Sequence, residues 1–180
     1  MTTPLVHKPT WRTRMLALVW RSQRLRLIAA RAMFQSVPHG RALGMHVTRC
    51  DDEGVEAVLP YQAAIIGDPT QEHIHPGPLT VLIDQVSGAA ACLATRPPSL
   101  VATLDLRLDF LRPTRPGREI RARASAYRVT RQIVFVHCVA HDGDPDRPVA
   151  IGSSSFMRNG VLEAGPVEML TRALRAMRRR

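Results

Sequence analysis

One carboxylate interrupts an otherwise apolar segment with the character of a helix. The stretch His75-Pro-Gly-Pro-Leu-Thr-Val-Leu-Ile-Asp-Gln-Val-Ser-Gly-Ala-Ala-Ala91 begins at a Pro-Gly-Pro corner and continues through apolar and small residues, with Asp84 in its second turn. Aspartate is a mediocre helix former, and a buried unpaired carboxylate costs several kcal/mol. Asp84 must therefore be solvated, paired or functional.

The start of the same helix has the features of an oxygen-binding corner. Pro78 suits the first helical position and Gly77 suits the cap before it. Free backbone N–H groups are therefore expected there, where they could hold an anion or a polarised carbonyl oxygen. Asp84, about two turns inside that end, could act as a base or a nucleophile on the same bound group. A structural aspartate, bonded to a neighbour or solvated at an interface, is the alternative that the residues leave open.

Small residues share the helix face of Asp84. At about 100° per residue, the helix has one apolar stripe and a second stripe of small or polar residues. The apolar stripe is formed by Leu79, Leu82, Ile83, Val86 and Leu93, and the second by Thr80, Asp84, Ser87, Gly88 and Ala91. Gly88 removes bulk one turn beyond the carboxylate, so a ligand or a backbone can approach it.

The segments around this helix predict an antiparallel sheet. Strict alternation of apolar residues over 104–110 indicates a half-buried strand, and similar patterns recur further along the chain. The predicted elements are a hairpin over 42–60, a loop over 61–75, and strands over 104–110, 120–126, 133–140 and 149–156. A single apolar helix with such a meander is best buried when the sheet wraps around it, which predicts an α+β domain.

Helices are predicted at both ends of the chain. Apolar residues near helical spacing, with arginines between them, predict a long basic amphipathic helix over 11–34 that ends at the corner Pro38-His39-Gly40. We expect this helix to pack on its own domain or on a partner subunit, and a membrane surface is the alternative. A short C-terminal helix is expected over 167–177. The predicted domains are a basic N-terminal helical extension over 1–36, a central domain over 37–160 and a basic C-terminal helix over 161–180.

Charge and cysteine content restrict the class of protein. The 180-residue chain has a formal charge of +10, almost entirely from arginines concentrated near its ends. A solvated basic surface is the simplest interpretation, and nucleic acid is disfavoured because no aromatic platform or nucleic-acid-binding signature accompanies the arginines. Cys50, Cys92 and Cys138 lack paired spacing, which suits buried free thiols and predicts a cytoplasmic protein. We expect neither a transmembrane helix nor a signal peptide.

Two separate motifs together indicate a family. His75-Pro76-Gly77 is followed by Asp84 seven residues after the glycine, and 104–113 reads Leu-Asp-Leu-Arg-Leu-Asp-Phe-Leu-Arg-Pro, with Arg115-Pro-Gly117 close behind. The chain in this respect resembles the PaaI-type acyl-CoA thioesterases of the hotdog-fold superfamily. Their motif is His-Gly-Gly with an Asp or Glu at the same distance, followed by a strand of nearly the same sequence. The resemblance covers about 42–157.

The resemblance implies a hotdog fold, an antiparallel sheet wrapped around the central helix, to which the two terminal helices are additions. It implies a homodimer or homotetramer that binds acyl-CoA between subunits and hydrolyses an aryl- or short/medium-chain acyl-CoA to the free acid and CoA. Asp84 would be the general base or nucleophile, and a backbone N–H at the helix start would polarise the thioester carbonyl. No metal and no cofactor is expected, since coenzyme A is part of the substrate.

One position departs from the family motif. Pro76 stands where the family has the glycine whose N–H polarises the carbonyl, and proline has no N–H. Losing one such donor typically lowers the rate about a hundredfold or more. Either Gly77 or Leu79 supplies the donor, with His75 holding the corner by hydrogen bonds, or the protein is a catalytically weak acyl-CoA binder.

Other side chains near the helix and the strand turn are expected to contact the substrate. Gln85 and Ser87 would touch the acyl group or position water, and Gly88 would leave it room. Arg112 and Arg115 would bind the phosphates of CoA, because guanidinium matches phosphate geometry, with ordinary solvated arginines as the alternative. The identity of the acyl group and the choice between dimer and tetramer are not predicted.

Further alternatives have less support. A metal site built on His73, His75, His137 or His141 lacks recognisable supporting ligands. A hotdog dehydratase would carry its acid at a shorter spacing, and no Gly-x-Ser-x-Gly elbow supports a seryl hydrolase. From a different class, a membrane-surface or interaction protein would act through its basic N-terminal helix, with the central domain as a dimerising scaffold.

Overall fold

The computed structural model describes residues 22–96 and 98–161, with the backbone alone at 161. The helices are α1 (Gln23–Ser36), α2 (Pro38–Ala42) and α3 (Pro76–Ala94). The strands are β1 (His46–Asp51), β2 (Gly54–Leu59), β3 (Ile66–Asp68), β4 (His73–Ile74), β5 (Ser99–Phe110), β6 (Ile120–Val129), β7 (Ile133–His141) and β8 (Ala150–Val161). The predicted helix over 167–177 and the first part of the predicted N-terminal helix, 11–21, lie outside the described residues.

Six strands form one antiparallel sheet that wraps around α3. Their order is β1-β2-β6-β7-β8-β5, and β3 and β4 form a separate two-stranded hairpin. The apolar side of α3 packs against β2, β5, β6 and β7, and Leu82, Ile83 and Val86 are fully buried there. The alternation within each strand places small or apolar residues on the inner face of the sheet. The α+β prediction is confirmed.

Burial also explains the apolar character of α3. It is the one helix in the described part of the chain with the length and composition of a membrane span, and 56% of its most apolar window is buried inside the fold. A core helix enclosed by a sheet has the same composition.

The described part of the N-terminal helix packs on its own domain. Ala29, Ala30 and Phe34 of α1 are buried, and α1 lies against β1 and α3. The predicted corner at Pro38 is instead the start of a short second helix, α2, because proline suits the first helical position. Since α2 includes Ala42, β1 begins at His46 and not at 42.

The prediction of a loop over 61–75 is wrong in part. The segment contains a 3-10 turn (Ala63–Ile65) and the β3–β4 hairpin. Asp68 organises the hairpin turn, because its Oδ1 accepts hydrogen bonds from the backbone N–H of Thr70 at 2.9 Å and from its hydroxyl at 2.6 Å. Strands of two or three residues are too short to show a period in the sequence.

The two edges of the main sheet differ. The β1 edge is covered by α1, whereas no element of the described residues covers the twelve-residue strand β5 at the other edge. Four large apolar side chains are exposed on or beside β5: Leu100, Leu104, Phe110 and Leu111. A long exposed edge with apolar side chains is a template for pairing with another strand.

Candidate active site

Asp84 lies on the side of α3 that faces β5, and its side chain is half-buried. The hydroxyl of Thr103 on β5 donates a hydrogen bond to Oδ1 of Asp84 over 3.1 Å. No described residue hydrogen-bonds Oδ2, so this oxygen is available to a water molecule. The pairing of β5 with β8 shifts register just after Thr103, at a bulge that includes Leu104. Bulges of this kind re-aim side chains next to functional sites.

Gly88 leaves space one turn beyond the carboxylate. A methyl group at Gly88 would have a single close neighbour across the helix, Cε1 of Phe156, at 3.6 Å, which is an ordinary contact. The glycine is half-buried and lies on the Asp84 face of α3. A ligand that approached Asp84 along this face of α3 would therefore meet no side chain at position 88.

The start of α3 is closed to a backbone oxygen site. His75 is the N-cap residue, and its Nδ1 accepts a hydrogen bond from the Gly77 N–H over 2.9 Å. The His75 N–H donates to the carbonyl of Ile65 over 2.8 Å. Pro76 and Pro78 have no N–H, and Leu79 is the first residue whose N–H is satisfied by the helix itself. A donor role for Gly77 would require the exchange of its bond to His75.

The structure separates two of the predicted substrate contacts from Asp84. Gln85 lies under α1 and α2, where its Nε2 donates to the Phe34 carbonyl over 3.4 Å and its Oε1 is buried without a partner among the described residues. A methyl group at Gly40 would come within 2.4 Å of that oxygen. Ser87 is fully buried between α3 and the sheet, beside Cys138. Successive residues of a helix are rotated by about 100°, so Gln85 and Ser87 contact other parts of the structure than Asp84 does.

Arg112 and Arg115 converge on one buried carboxylate, that of Asp142. Arg112 binds both carboxylate oxygens of Asp142 at 2.7 and 2.8 Å. Arg115 donates to the same carboxylate from its backbone N–H at 2.8 Å and from its guanidinium at 3.0 Å. Arg112 is nine residues beyond Thr103, about 30 Å along an extended strand. Within one copy these arginines are therefore remote from Asp84. The Arg115 guanidinium is bound to Asp142, but its side chain is still 52% exposed, against 23% for Arg112.

The same turn holds the chain just before α3. Thr114 accepts a hydrogen bond from the Ile74 N–H on its hydroxyl over 2.8 Å. Its carbonyl also lies 2.6 Å from Nδ1 of His73. The cluster around Asp142 therefore fixes the turn between β5 and β6. Through Thr114, this turn also holds β4 and the N-cap of α3 in place.

Replacing Asp142 by asparagine is expected to lower the free energy of unfolding by about 3–5 kcal/mol at neutral pH, because Arg112 would keep its charge without a buried partner. The hydrogen bonds from Arg112 hold the pKa of Asp142 well below its usual range. A depressed pKa stabilises the fold above about pH 4, and this stabilisation is lost as the pH falls towards the folded-state pKa. The difference between wild type and variant, measured by denaturant unfolding, should therefore narrow below about pH 4.

The matched control is Asp109→Asn, which removes the exposed pair with Arg107, 3.1 Å apart. Such a pair contributes at most about 1 kcal/mol. A loss at Asp142 no larger than the loss at Asp109 would contradict the account of this cluster.

The cysteines are not candidates for a nucleophile. All three are buried and free, and burial raises the pKa of Cys92 and Cys138 to about 12. Such thiols stay protonated and inert at neutral pH. Over 22–96 and 98–161, no three His, Cys, Asp or Glu side chains come together as a metal-binding group.

Thr103 is the site residue that sequence reasoning missed. The predicted strand begins at 104, where the alternation starts, whereas β5 begins at Ser99. The only signal in the sequence is a hydroxyl residue directly before an alternating run. A contact between residues 19 apart on different elements has no period that would indicate it.

Comparisons with known proteins agree with this fold. The family model described as "Thioesterase superfamily" matches residues 71–149, which include the start of α3 and Asp84. The medium/long-chain acyl-CoA thioesterase YigI of Escherichia coli is 26% identical over 156 residues, which are 79% of this chain and 99% of YigI.

Two solved structures are also similar. A crystal structure of a Pseudomonas aeruginosa protein has 34% identity and a TM-score of 0.69, covering 74% of this chain and 98% of that one. The Escherichia coli PaaI protein from the phenylacetic acid degradation operon has 20% identity and a TM-score of 0.67, covering 77% of this chain and 96% of PaaI. This second likeness shows the fold alone. The chain belongs to the thioesterase superfamily and has its hotdog fold, as the two sequence motifs predicted.

Proposed function

We propose that this protein is an acyl-CoA thioesterase that hydrolyses aryl- or short/medium-chain acyl-CoA to the free acid and CoA, with Asp84 as general base or nucleophile. The observation that carries the proposal is the position of Asp84. Its half-buried carboxylate is held on one oxygen by Thr103 and is open on the other, beside the space left by Gly88. Because YigI is by its name a medium/long-chain acyl-CoA thioesterase, longer acyl-CoA esters are included in the test of this proposal.

The chemistry needs one water molecule and one carboxylate. As a base, Asp84 takes a proton from water while the water oxygen attacks the thioester carbon and the carbonyl electrons move to oxygen. The tetrahedral intermediate then collapses and expels the CoA thiolate, which receives the proton. As a nucleophile, Asp84 would form a mixed anhydride that water hydrolyses to the same products. Neither route uses a metal or a further cofactor.

We propose that two copies complete each site. Gly77 and Asp84 are seven residues apart, about 10 Å along the axis of α3, so the two cannot meet one carbonyl group within a copy. Antiparallel pairing of two β5 edges would bury Leu100, Leu104 and their neighbours. It would also bring the far end of one β5 strand towards Asp84 of the other copy. A homodimer, or a tetramer of two such dimers, follows.

The phosphates of CoA remain assigned to the turn between β5 and β6. Both arginines bind Asp142 and position the turn, and the Arg115 side chain is the more exposed of the two. In the dimer this turn lies towards the other copy's site, which suits a CoA that lies across the seam between subunits. Guanidinium groups match phosphate oxygens in geometry and charge.

A catalytically weak acyl-CoA binder is the second candidate. The closed start of α3 favours it, because no backbone N–H there is free to stabilise an oxyanion. Such a protein would keep the groove and hydrolyse esters slowly. The third candidate, a protein acting on membranes or partners through its basic N-terminal helix, has no comparable support from α1, whose apolar side is buried.

The test is release of free CoA thiol from a panel of aryl-, short-, medium- and long-chain acyl-CoAs by the wild-type protein. Turnover with a preference within the panel supports the thioesterase. Calorimetric binding of the same esters without thiol release would instead support the weak binder. If the protein neither binds these esters nor releases thiol from them, both the thioesterase and the weak binder are overturned.

Thr103 is expected to position the carboxylate of Asp84. Thr103→Val keeps the shape of the side chain but removes its hydroxyl, and kcat should fall about 10- to 100-fold, because hydrogen bonds to charged groups contribute roughly 1.5–3 kcal/mol. Thr103→Ser keeps the donor and should retain most of the activity. The comparison is of kcat and KM for one acyl-CoA, and equal kcat values for the two variants would contradict the role.

A further inference from the structure

The N-cap of α3 is unusual in how completely its backbone donors are used. An ordinary helix start offers four N–H groups without intrahelical partners. Here Pro76 and Pro78 supply none, the His75 N–H is bound to Ile65, and the Gly77 N–H is bound to the His75 ring. If the proposed function holds, a thioester carbonyl at this corner would therefore meet the imidazole of His75 and no free backbone N–H.

The ring of His75 is held in one orientation. Its Nδ1 accepts from the Gly77 N–H, so in the neutral ring the proton is on Nε2. Gly67 on β3 packs against the same residue, since a methyl group at Gly67 would lie 2.9 Å from the His75 Cα and 3.1 Å from its Cδ2. His75 is exposed, and no described residue bonds Nε2. The helix start thus presents one N–H donor after all, carried by a side chain.

We propose that the Nε2–H of His75 stabilises the oxyanion of the thioester, in place of the N–H that Pro76 lacks. The inference rests on the proposed function. When the water oxygen bonds to the carbonyl carbon, the electron pair of the C=O bond moves to oxygen, and the Nε2–H donates to that oxyanion. The pair returns when the C–S bond breaks and the CoA thiolate leaves, taking the proton held by Asp84 of the other copy. His75 keeps its own proton throughout.

Two substitutions test this role. His75→Asn keeps an N-cap acceptor near the position of Nδ1, because asparagine is a preferred N-cap residue, but its shorter side chain places no donor at Nε2. We expect kcat to fall about 10²- to 10³-fold, the usual effect of removing one oxyanion donor, with an unchanged melting temperature and little change in KM. Pro76→Gly in the His75→Asn background restores a backbone N–H at the family position. The kcat of this double variant should be at least tenfold higher than that of His75→Asn alone.

A kcat of His75→Asn within a few-fold of wild type would overturn the inference. So would a folded double variant that recovers nothing. If His75→Asn keeps full turnover while Asp84→Asn loses it, the thioesterase stands and the role of His75 falls. If the wild type releases no thiol from any ester, the proposed function falls, and this inference falls with it.

Discussion

Asp84→Asn is expected to lower kcat for acyl-CoA hydrolysis by about 10³-fold or more. The amide cannot take a proton from water and is a poor nucleophile, and a general base alone contributes typically 10²- to 10⁴-fold. The substitution is nearly isosteric, and its Oδ1 can still accept the hydrogen bond from Thr103. The fold and the binding of the ester should therefore persist. Thiol-release kinetics, a thermal melt and calorimetry on the same ester measure the three quantities.

Asp146→Asn is the matched control for this variant. Asp146 lies exposed in the turn between β7 and β8, and its substitution removes one carboxylate of the same type without touching the site. Its kcat should equal that of the wild type. Activity in Asp84→Asn within tenfold of this control, with both proteins folded, would remove Asp84 from the mechanism.

Leu104→Arg should separate the two copies and abolish most of the activity. Leu104 is 50% exposed at the bulge of the uncovered strand β5, so the substitution places two like charges at the seam where two such strands would pair. Because Asp84 and the helix start of one copy cannot reach the same carbonyl, a monomer should lose at least about 100-fold in kcat. Light scattering after gel filtration gives the mass, and thiol release gives the rate.

Tyr127→Arg supplies the comparison for the edge variant. Tyr127 is the more exposed apolar side chain, at 67%, and lies on β6 away from the uncovered edge. This variant should remain dimeric and active. A dimeric Leu104→Arg protein, or a monomer with full activity, would contradict the proposed arrangement of the two copies.

The main elements could be predicted from the sequence because each has a strong local pattern. The apolar stripe of α3 and the alternation of β5 both persist over many residues. The hairpin of β3 and β4 could not be predicted in the same way, since its strands are too short for a period and depend on the Asp68 turn. The early start of β5 at Ser99 also lacks alternation and is set by pairing with β8.

The same distinction between local patterns and long-range contacts applies to the residues of the candidate site. Asp84 could be predicted because a carboxylate in an apolar helix is conspicuous, and the family motif gave its spacing. Its partner Thr103 and the binding of Arg112 to Asp142 join residues 19 and 30 apart in sequence, so only the folded chain reveals them. The placement of Gln85 under α1 shows the same limit, because neighbours on a helix face different directions.

Pro76 is the position where sequence and structure together say more than either alone. The sequence indicates that a backbone donor is missing, and the structure shows that the Gly77 N–H is already bound by His75. Under the proposed function, the chain therefore uses the His75 ring as its donor, exchanges the bond between Gly77 and His75, or hydrolyses esters slowly. These outcomes differ by orders of magnitude in kcat, so modest kinetic precision separates them.

The most direct measurement of the central claim is product analysis by mass spectrometry after incubation of an acyl-CoA in H₂¹⁸O, with wild type and Asp84→Asn side by side. We expect the wild type to release CoA and free acid in equal amounts over many turnovers, with solvent oxygen in the acid, and the Asp84→Asn sample to keep its ester intact. Intact ester in both samples, or labelled acid formed equally fast in both, would contradict it.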